Sequence, residues 1–143
     1  MKVRIKTSDW KSLNYETNQA CGFDFKSSEE ITIKAGEFGL VETWTVIETP
    51  EGYALQIQPR SSTFKNFGLI QTNWVGLVDR DYCGENDTIK FGYLNMRNTD
   101  VTIEKWTRIG QWIFLKIWIA DFELVEKIWN NKDRWGFWTT GNK

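Results

Sequence analysis

The stretch Gly76-Leu77-Val78-Asp79-Arg80-Asp81-Tyr82-Cys83-Gly84-Glu85 sets two acids, one residue apart, behind an apolar pair and ahead of an aromatic and a glycine. In an extended chain alternate residues share a face, so Asp79 and Asp81 point the same way if a strand runs on through them. An Asp carboxylate is ionised at neutral pH and takes a proton from water when it is held in place. Asp79 is therefore a candidate general base, although the same acids would serve equally as a solvated turn between strands. Upstream, Gln58-Pro59-Arg60-Ser61-Ser62-Thr63 places a rigid proline before a guanidinium and two hydroxyls, at the entry to a short helix. An Arg fork, hydroxyl donors and helix N-terminal N–H groups suit a phosphate. A helix cap beside a surface Arg is the commoner use of such residues. Between these stretches, Gly68-Leu69-Ile70-Gln71-Thr72-Asn73-Trp74-Val75 reads as two short strands with a turn near Thr72-Asn73.

Composition narrows the chemistry. Histidine is absent, which removes Ser-His, Cys-His and His-ligated metal mechanisms and leaves acid-base work to carboxylates. Cys21 and Cys83 stand far apart without a C-x-x-C pairing, so neither a zinc site nor a disulfide scaffold is expected, and a reducing cytoplasm fits. With 18 Lys and Arg against 19 Asp and Glu, the chain has no broad attraction for nucleic acid or anionic lipid. An anionic substrate must find local cations. The N-terminus alternates polar and apolar residues instead of leading into an apolar run, and no segment reads as a membrane span. The 143 residues suit a single domain with one core.

The elements that must position these residues are strands. Period-two alternation marks residues 3–6, 31–34, 54–58, 89–94 and 101–104. Turn signals at 35–37, 50–52, 98–100 and 130–133 separate them at the close spacing of a sandwich or barrel. Only residues 62–68 invite a helix. Residues 109–119 are apolar enough for one, but their β-branched and aromatic content predicts a buried strand. From Asn131 onward the chain is polar and punctuated by Gly136 and Gly141, which predicts an extended arm, over about 131–143, whose Trp135, Phe137 and Trp138 dock elsewhere. Most of the nine Trp have no functional reading and are expected in cores and subunit contacts.

Five stretches, in order, resemble the five motifs of the homotrimeric dUTPase family: Ala20-Cys21-Gly22-Phe23-Asp24-Phe25; Pro59-Arg60-Ser61-Ser62; residues 76–85; Trp106-Thr107-Arg108-Ile109-Gly110-Gln111; and Arg134-Trp135-Gly136-Phe137-Trp138-Thr139-Thr140-Gly141. The resemblance spans essentially the whole chain. It implies an all-β fold, a distorted β-barrel or jelly roll of the β-clip type, assembled as a homotrimer with shared active sites. It implies hydrolysis of dUTP to dUMP and pyrophosphate with Mg²⁺. By the same resemblance, Asp79 directs water at the α-phosphorus, and Tyr82 packs on the deoxyribose, where a ribose 2′-hydroxyl would clash. Asn73, at the bend of a tight hairpin, reads the uracil edge, with Leu77 and Val78 as walls and backbone contacts. Arg60, Ser61, Ser62 and Gln111 hold the triphosphate. Lys90 falls near a substrate-contacting position. Asp24 meets waters around a Mg²⁺ that is carried mostly by phosphates and water. In the arm, Phe137 stacks on uracil, Arg134 reaches the terminal phosphate, and Thr139 and Thr140 help wrap it.

The departures are local. Trp135 and Trp138 replace glycines of a shortened fifth motif, so the arm takes a different path, because Trp does not reach positive φ cheaply. Trp106 stands where a glycine is usual, extra residues fall near Glu85-Asn86-Asp87, and Cys83 stands where a basic residue is common. The altered arm leaves open a catalytically weak nucleotide-sensing or protein-binding module. A dCTP deaminase of the same fold needs a Glu on the strand after the third motif, and Ile89-Lys90-Phe91-Gly92-Tyr93-Leu94 has no acid.

Overall fold

The computed structural model describes residues 1–8 and 15–128; Arg134, Phe137, Thr139, Thr140 and the expected arm lie outside them. The described chain is nearly all β, in the order β1 (Arg4–Thr7), β2 (Phe23–Lys26), β3 (Ile31–Ile33), β4 (Phe38–Glu42), β5 (Thr45–Glu48), β6 (Tyr53–Pro59), α1 (Thr63–Phe67), β7 (Leu69–Gln71), β8 (Gly76–Val78), β9 (Lys90–Asn95), β10 (Val101–Ile103) and β11 (Arg108–Lys116). Antiparallel ladders join them into a four-stranded sheet β2-β11-β6-β8, a three-stranded sheet β4-β9-β7, and the pairs β1-β5 and β3-β10. The ladders do not close into one continuous barrel. Among the described residues, no helix is long and apolar enough to cross a membrane.

The core lies where the two larger sheets face each other. Alternation along β2 and β9 points Phe23, Phe25, Phe91 and Tyr93 inward. Phe25 meets Phe91 edge-on at 5.4 Å between centroids, Phe91 stacks on Tyr93 at 6.0 Å, and Trp112 of β11 packs against Phe23 at 5.1 Å. The Tyr93 hydroxyl donates to the Ile109 carbonyl at 2.6 Å, and burial pushes its pKa up, so it stays a donor throughout the neutral range.

Three expectations are corrected. The strands on either side of Asn73 form no hairpin: β7 pairs with β9 and β8 with β6, so the chain crosses from one sheet to the other at this turn. Only the Trp74 N–H to Gln71 carbonyl bond, 3.3 Å, closes the bend. The strand carrying Asp79 stops at Val78, and the Asp79 carbonyl accepts the Tyr82 N–H at 3.2 Å. Asp79 and Asp81 therefore sit on a turn and do not share a strand face. The strand predicted over 109–119 ends at Lys116, and Trp118 and Ile119 beyond it are exposed. The helix was expected at 62–68 and forms at 63–67, closed by Gly68 in the left-handed conformation.

Trp44, Trp74 and Trp106 are the non-glycine residues with positive φ among those described, at 50°, 56° and 68°. A side chain there costs on the order of 1–2 kcal/mol. Trp106 thus keeps the backbone shape of the glycine usual at its position and carries an indole on it.

Gly110 is fixed by a neighbour. A Cβ there would lie 2.2 Å from Cε1 of the fully buried Phe91 ring. Gly110→Ala is expected to cost about 1–3 kcal/mol of stability in denaturant unfolding at fixed protein concentration. Adding Phe91→Leu should recover part of that loss.

Candidate active site

Two clusters assemble from the ladders around β6. The first is a cavity of about 290 Å³ lined by Ile57, Leu77, Val78, Asp79, Tyr82, Thr88, Ile89 and Lys90. Strand β8 supplies its wall because Gly76 faces Ile57 across the β6 ladder, and a Cβ on Gly76 would lie 2.4 Å from Cγ1 of Ile57. The glycine lets the two strands close to contact. Asp79 follows immediately, exposed at the mouth, while Asp81 is outside the lining. The Tyr82 hydroxyl donates to the Thr88 carbonyl at 3.1 Å, which pins the ring at the edge of the cavity.

Lys90 is tied to Glu42, with Nζ 3.2 Å from Oε2. The same Glu42 accepts from the Thr88 hydroxyl at 2.9 Å and from the backbone N–H groups of Thr43 and Trp44 at 2.8 and 2.9 Å. Both Lys90 and Thr88 are thereby held on one wall. Asn73 lies beside this cavity without lining it. Its Oδ1 accepts from Nε2 of Gln71 at 2.9 Å, and its Nδ2 is 3.2 Å from where a Cβ on Gly76 would sit.

The second cluster lies on the other face of the four-stranded sheet. Register places Gln111 of β11 opposite Asp24 of β2 on one side and Gln58 of β6 on the other, while the adjacent row is Phe23, Trp112 and Ile57 in the core. Period-two alternation therefore separates a polar row from the row that contributes Ile57 to the cavity. Arg60, just past β6, donates from Nε to Asp24 Oδ1 at 3.2 Å, and Arg108 reaches Asp24 Oδ2 at 3.4 Å and Glu16 at 3.0 Å. Gln111 donates from Nε2 to the Pro59 carbonyl at 3.4 Å. The terminal N–H groups of Arg60 have no partner among the described residues and form a fork for an anion.

Ser61 and Ser62 follow Arg60, Ser61 exposed and Ser62 half-buried at the helix N-cap with no side-chain capping bond. Ser62 thus takes the N-cap position expected of it, but its hydroxyl makes no capping bond to α1. The helix has five residues and so brings little dipole to its N-terminus; an anion here would meet the guanidinium and the hydroxyls.

The structure thus brings Leu77, Val78, Asp79, Tyr82 and Lys90 to one cavity, and Asp24, Arg60, Ser61, Ser62 and Gln111 to one polar face. The two sets share no residue, and Arg60 and Ser61 also line a pocket with Gln71 and Trp74. Sequence reading assigned no role to Arg108, Gln71, Glu42 or Thr88. Two of these had a local signal: Arg108 stands three residues before Gln111 in the same motif, and Gln71 stands two residues before Asn73. The Glu42 contacts span distant strands and left no such trace.

Comparison with known proteins identifies the arrangement. The dUTPase family model matches residues 8–137. The chain is 39% identical to the SPbeta prophage-derived deoxyuridine 5'-triphosphate nucleotidohydrolase of Bacillus subtilis, with 100% of each covered. The crystal structure of dUTPase from Streptococcus mutans superposes with a TM-score of 0.76 at 29% identity, covering 82% of this chain and 98% of that one. A mutant dUTPase from phage phi11 of S. aureus, whose structure concerns the coordination of a structural Mg(II) ion, shares the fold with a TM-score of 0.75 at 17% identity. Family match, full-length relatives and shared fold agree with the five ordered motifs: the chain belongs to the dUTPase family, and its chemistry is the hydrolysis of dUTP.

Proposed function

We propose that Asp79 is the general base of this hydrolysis and that the cavity of Leu77, Val78 and Tyr82 holds the deoxyuridine. The observation that carries this reading is the shared lining: one carboxylate, Asp79, in a pocket walled by Ile57, Leu77, Val78 and Ile89, with the Tyr82 ring, Thr88 and Lys90 completing it. Asp79 takes the proton of a water whose oxygen bonds to the α-phosphorus. The bond from that phosphorus to the bridging oxygen breaks, and pyrophosphate leaves with the electron pair. Tyr82, pinned through Thr88, packs on the sugar, and Lys90 stands at the rim against the substrate. Asn73 reads the base edge.

The triphosphate is held by Arg60, Ser61, Ser62 and Gln111. Asp24 suits a Mg²⁺ reached through water, since each of its oxygens meets one guanidinium and keeps lone-pair capacity. In this reading the ion is carried mostly by phosphates and water. When bound, the ion supplies neutralising charge to the phosphate oxygens. Arg134, Phe137, Thr139 and Thr140, outside the described residues, are assigned to the substrate by the resemblance of the fifth motif alone.

The assembly proposed is the homotrimer with shared sites that the family resemblance implies. In this reading a complete site pairs the Asp79 cavity of one subunit, on the β8 edge of β6, with the Arg60 row of another, on the β11 edge. Exposed Phe64, Ile70 and Trp74, together with Trp118, Ile119, Phe122 and Leu124 after β11, offer the apolar surface such contacts need. The site works in a reducing cytoplasm, where its exposed Cys21 remains a thiol.

Three outcomes test this. Asp79→Asn should lower kcat for dUTP by about a hundredfold or more while dUTP binding persists; an unchanged rate removes Asp79 as the base. Chelation of divalent ions should stop pyrophosphate release, and Mg²⁺ should restore it. Asp79→Asn and Arg60→Ala chains, each inactive alone, should regain roughly a quarter of wild-type activity when refolded together at equal amounts, since random assembly pairs two intact halves at that frequency. No recovery in mixed trimers would place both residues in one subunit's site.

A further inference from the structure

Gln71 ends β7 with its side chain buried, 3% exposed, and its backbone already paired with Tyr93. Its amide contacts two acceptors: Nε2 donates to the Ile57 carbonyl at 3.5 Å and to Asn73 Oδ1 at 2.9 Å. Its Oε1 is buried without a hydrogen-bond partner among the described residues. A buried unpaired amide oxygen is destabilising, and an apolar side chain of similar size would avoid it. Packing alone therefore does not account for a Gln here.

The orientation of these two amides is not arbitrary. A backbone carbonyl only accepts, so the Ile57 oxygen can face only the nitrogen end of Gln71. That NH₂ in turn can face only the oxygen end of Asn73. Asn73 is left presenting its own NH₂, which lies beside Gly76 on the side of Ile57, a wall of the Asp79 cavity. The series starts at a main-chain atom that cannot turn over and ends at the Asn73 donor beside Gly76.

We infer that Gln71 is a positioning residue for base selection: it locks the Asn73 amide with its donor outward, so that the site favours a pyrimidine with a carbonyl at that edge over one with an amino group. The inference rests on the reading of Asn73 as the residue that meets the base. An Asn amide freed from Gln71 turns over, and its oxygen then accepts from the amino group of cytosine. Gln71 itself touches no substrate and works through Asn73.

The test is the ratio of kcat/KM for dUTP over dCTP, measured with Mg²⁺ on the full-length wild type, Gln71→Leu, Gln71→Glu and Asn73→Ala. Gln71→Leu replaces a half-unpaired amide with an apolar group and should fold as well as the wild type, checked by its melting temperature. Its ratio should fall about tenfold, the factor one ordinary hydrogen bond carries. The loss should appear as a higher KM for dUTP and a lower one for dCTP, with kcat for dUTP little changed. Gln71→Glu presents an acceptor to Asn73 and should lower the ratio further. A wild-type ratio in folded Gln71→Leu, alongside a collapsed ratio in Asn73→Ala, would make Gln71 a packing residue only and overturn the inference. A wild-type ratio in Asn73→Ala would instead overturn the base-reading role of Asn73, and this inference with it.

Discussion

The site depends on strand β6 being paired on both edges, with β11 on one side and β8 on the other. A strand held so has no freedom to slip, because a shift of one residue would turn Ile57 out of the core and Gln58 into it. The same ladder delivers two different chemistries. Toward the core and β8 it contributes Ile57 to an apolar cavity with Asp79 at its mouth. On the opposite face, and just past its end, it contributes Gln58 and Arg60 to the row containing Gln111 and Asp24. The Asp79 cavity and the Arg60 row are thus tied to one strand, on its β8 and β11 edges, and the proposed symmetric assembly would set the cavity of one chain against the row of another.

The supporting contacts follow a common pattern in which a buried or half-buried polar group fixes a more exposed one. Glu42 is saturated by two backbone N–H groups, the Thr88 hydroxyl and the Lys90 ammonium, and the carbonyl of that same Thr88 anchors Tyr82. Asp24 is set between Arg60 and Arg108, which aligns Arg60 before any anion arrives and leaves its terminal nitrogens open. Such prearranged donors act without reorganising when charge develops on a phosphate. The buried Gln71 holding the exposed Asn73 is another instance of the pattern.

Much of this was legible in the sequence, and what was not has physical reasons. Alternation exposed β9 and β10 because each buries one face only, and β6 through its Leu55-Gln56-Ile57-Gln58 run, although Ala54 beside Leu55 is buried too. Strand β5 was missed, since Thr45, Val46 and Ile47 are all buried and show no alternation. The order of the five motifs carried the assignment of Asp79, Tyr82 and Arg60. It carried nothing about the turn at Asn73, where hairpin-like spacing joins strands of different sheets, because pairing is decided by distant partners. Likewise the second acid, Asp81, is turned from the cavity by the bend that the Tyr82 N–H closes on the Asp79 carbonyl. A period of two cannot announce where a strand stops. Trp106 was legible as a turn variant, and its left-handed backbone bears that out.

The central claim, that one working site needs residues from two chains, is most directly tested by specific activity on dilution. Pyrophosphate release from dUTP per chain should be followed from high to low protein concentration while light scattering reports the assembly state. Activity per chain should track the trimer fraction and vanish in the monomer. Full activity in a dissociated monomer would contradict the account.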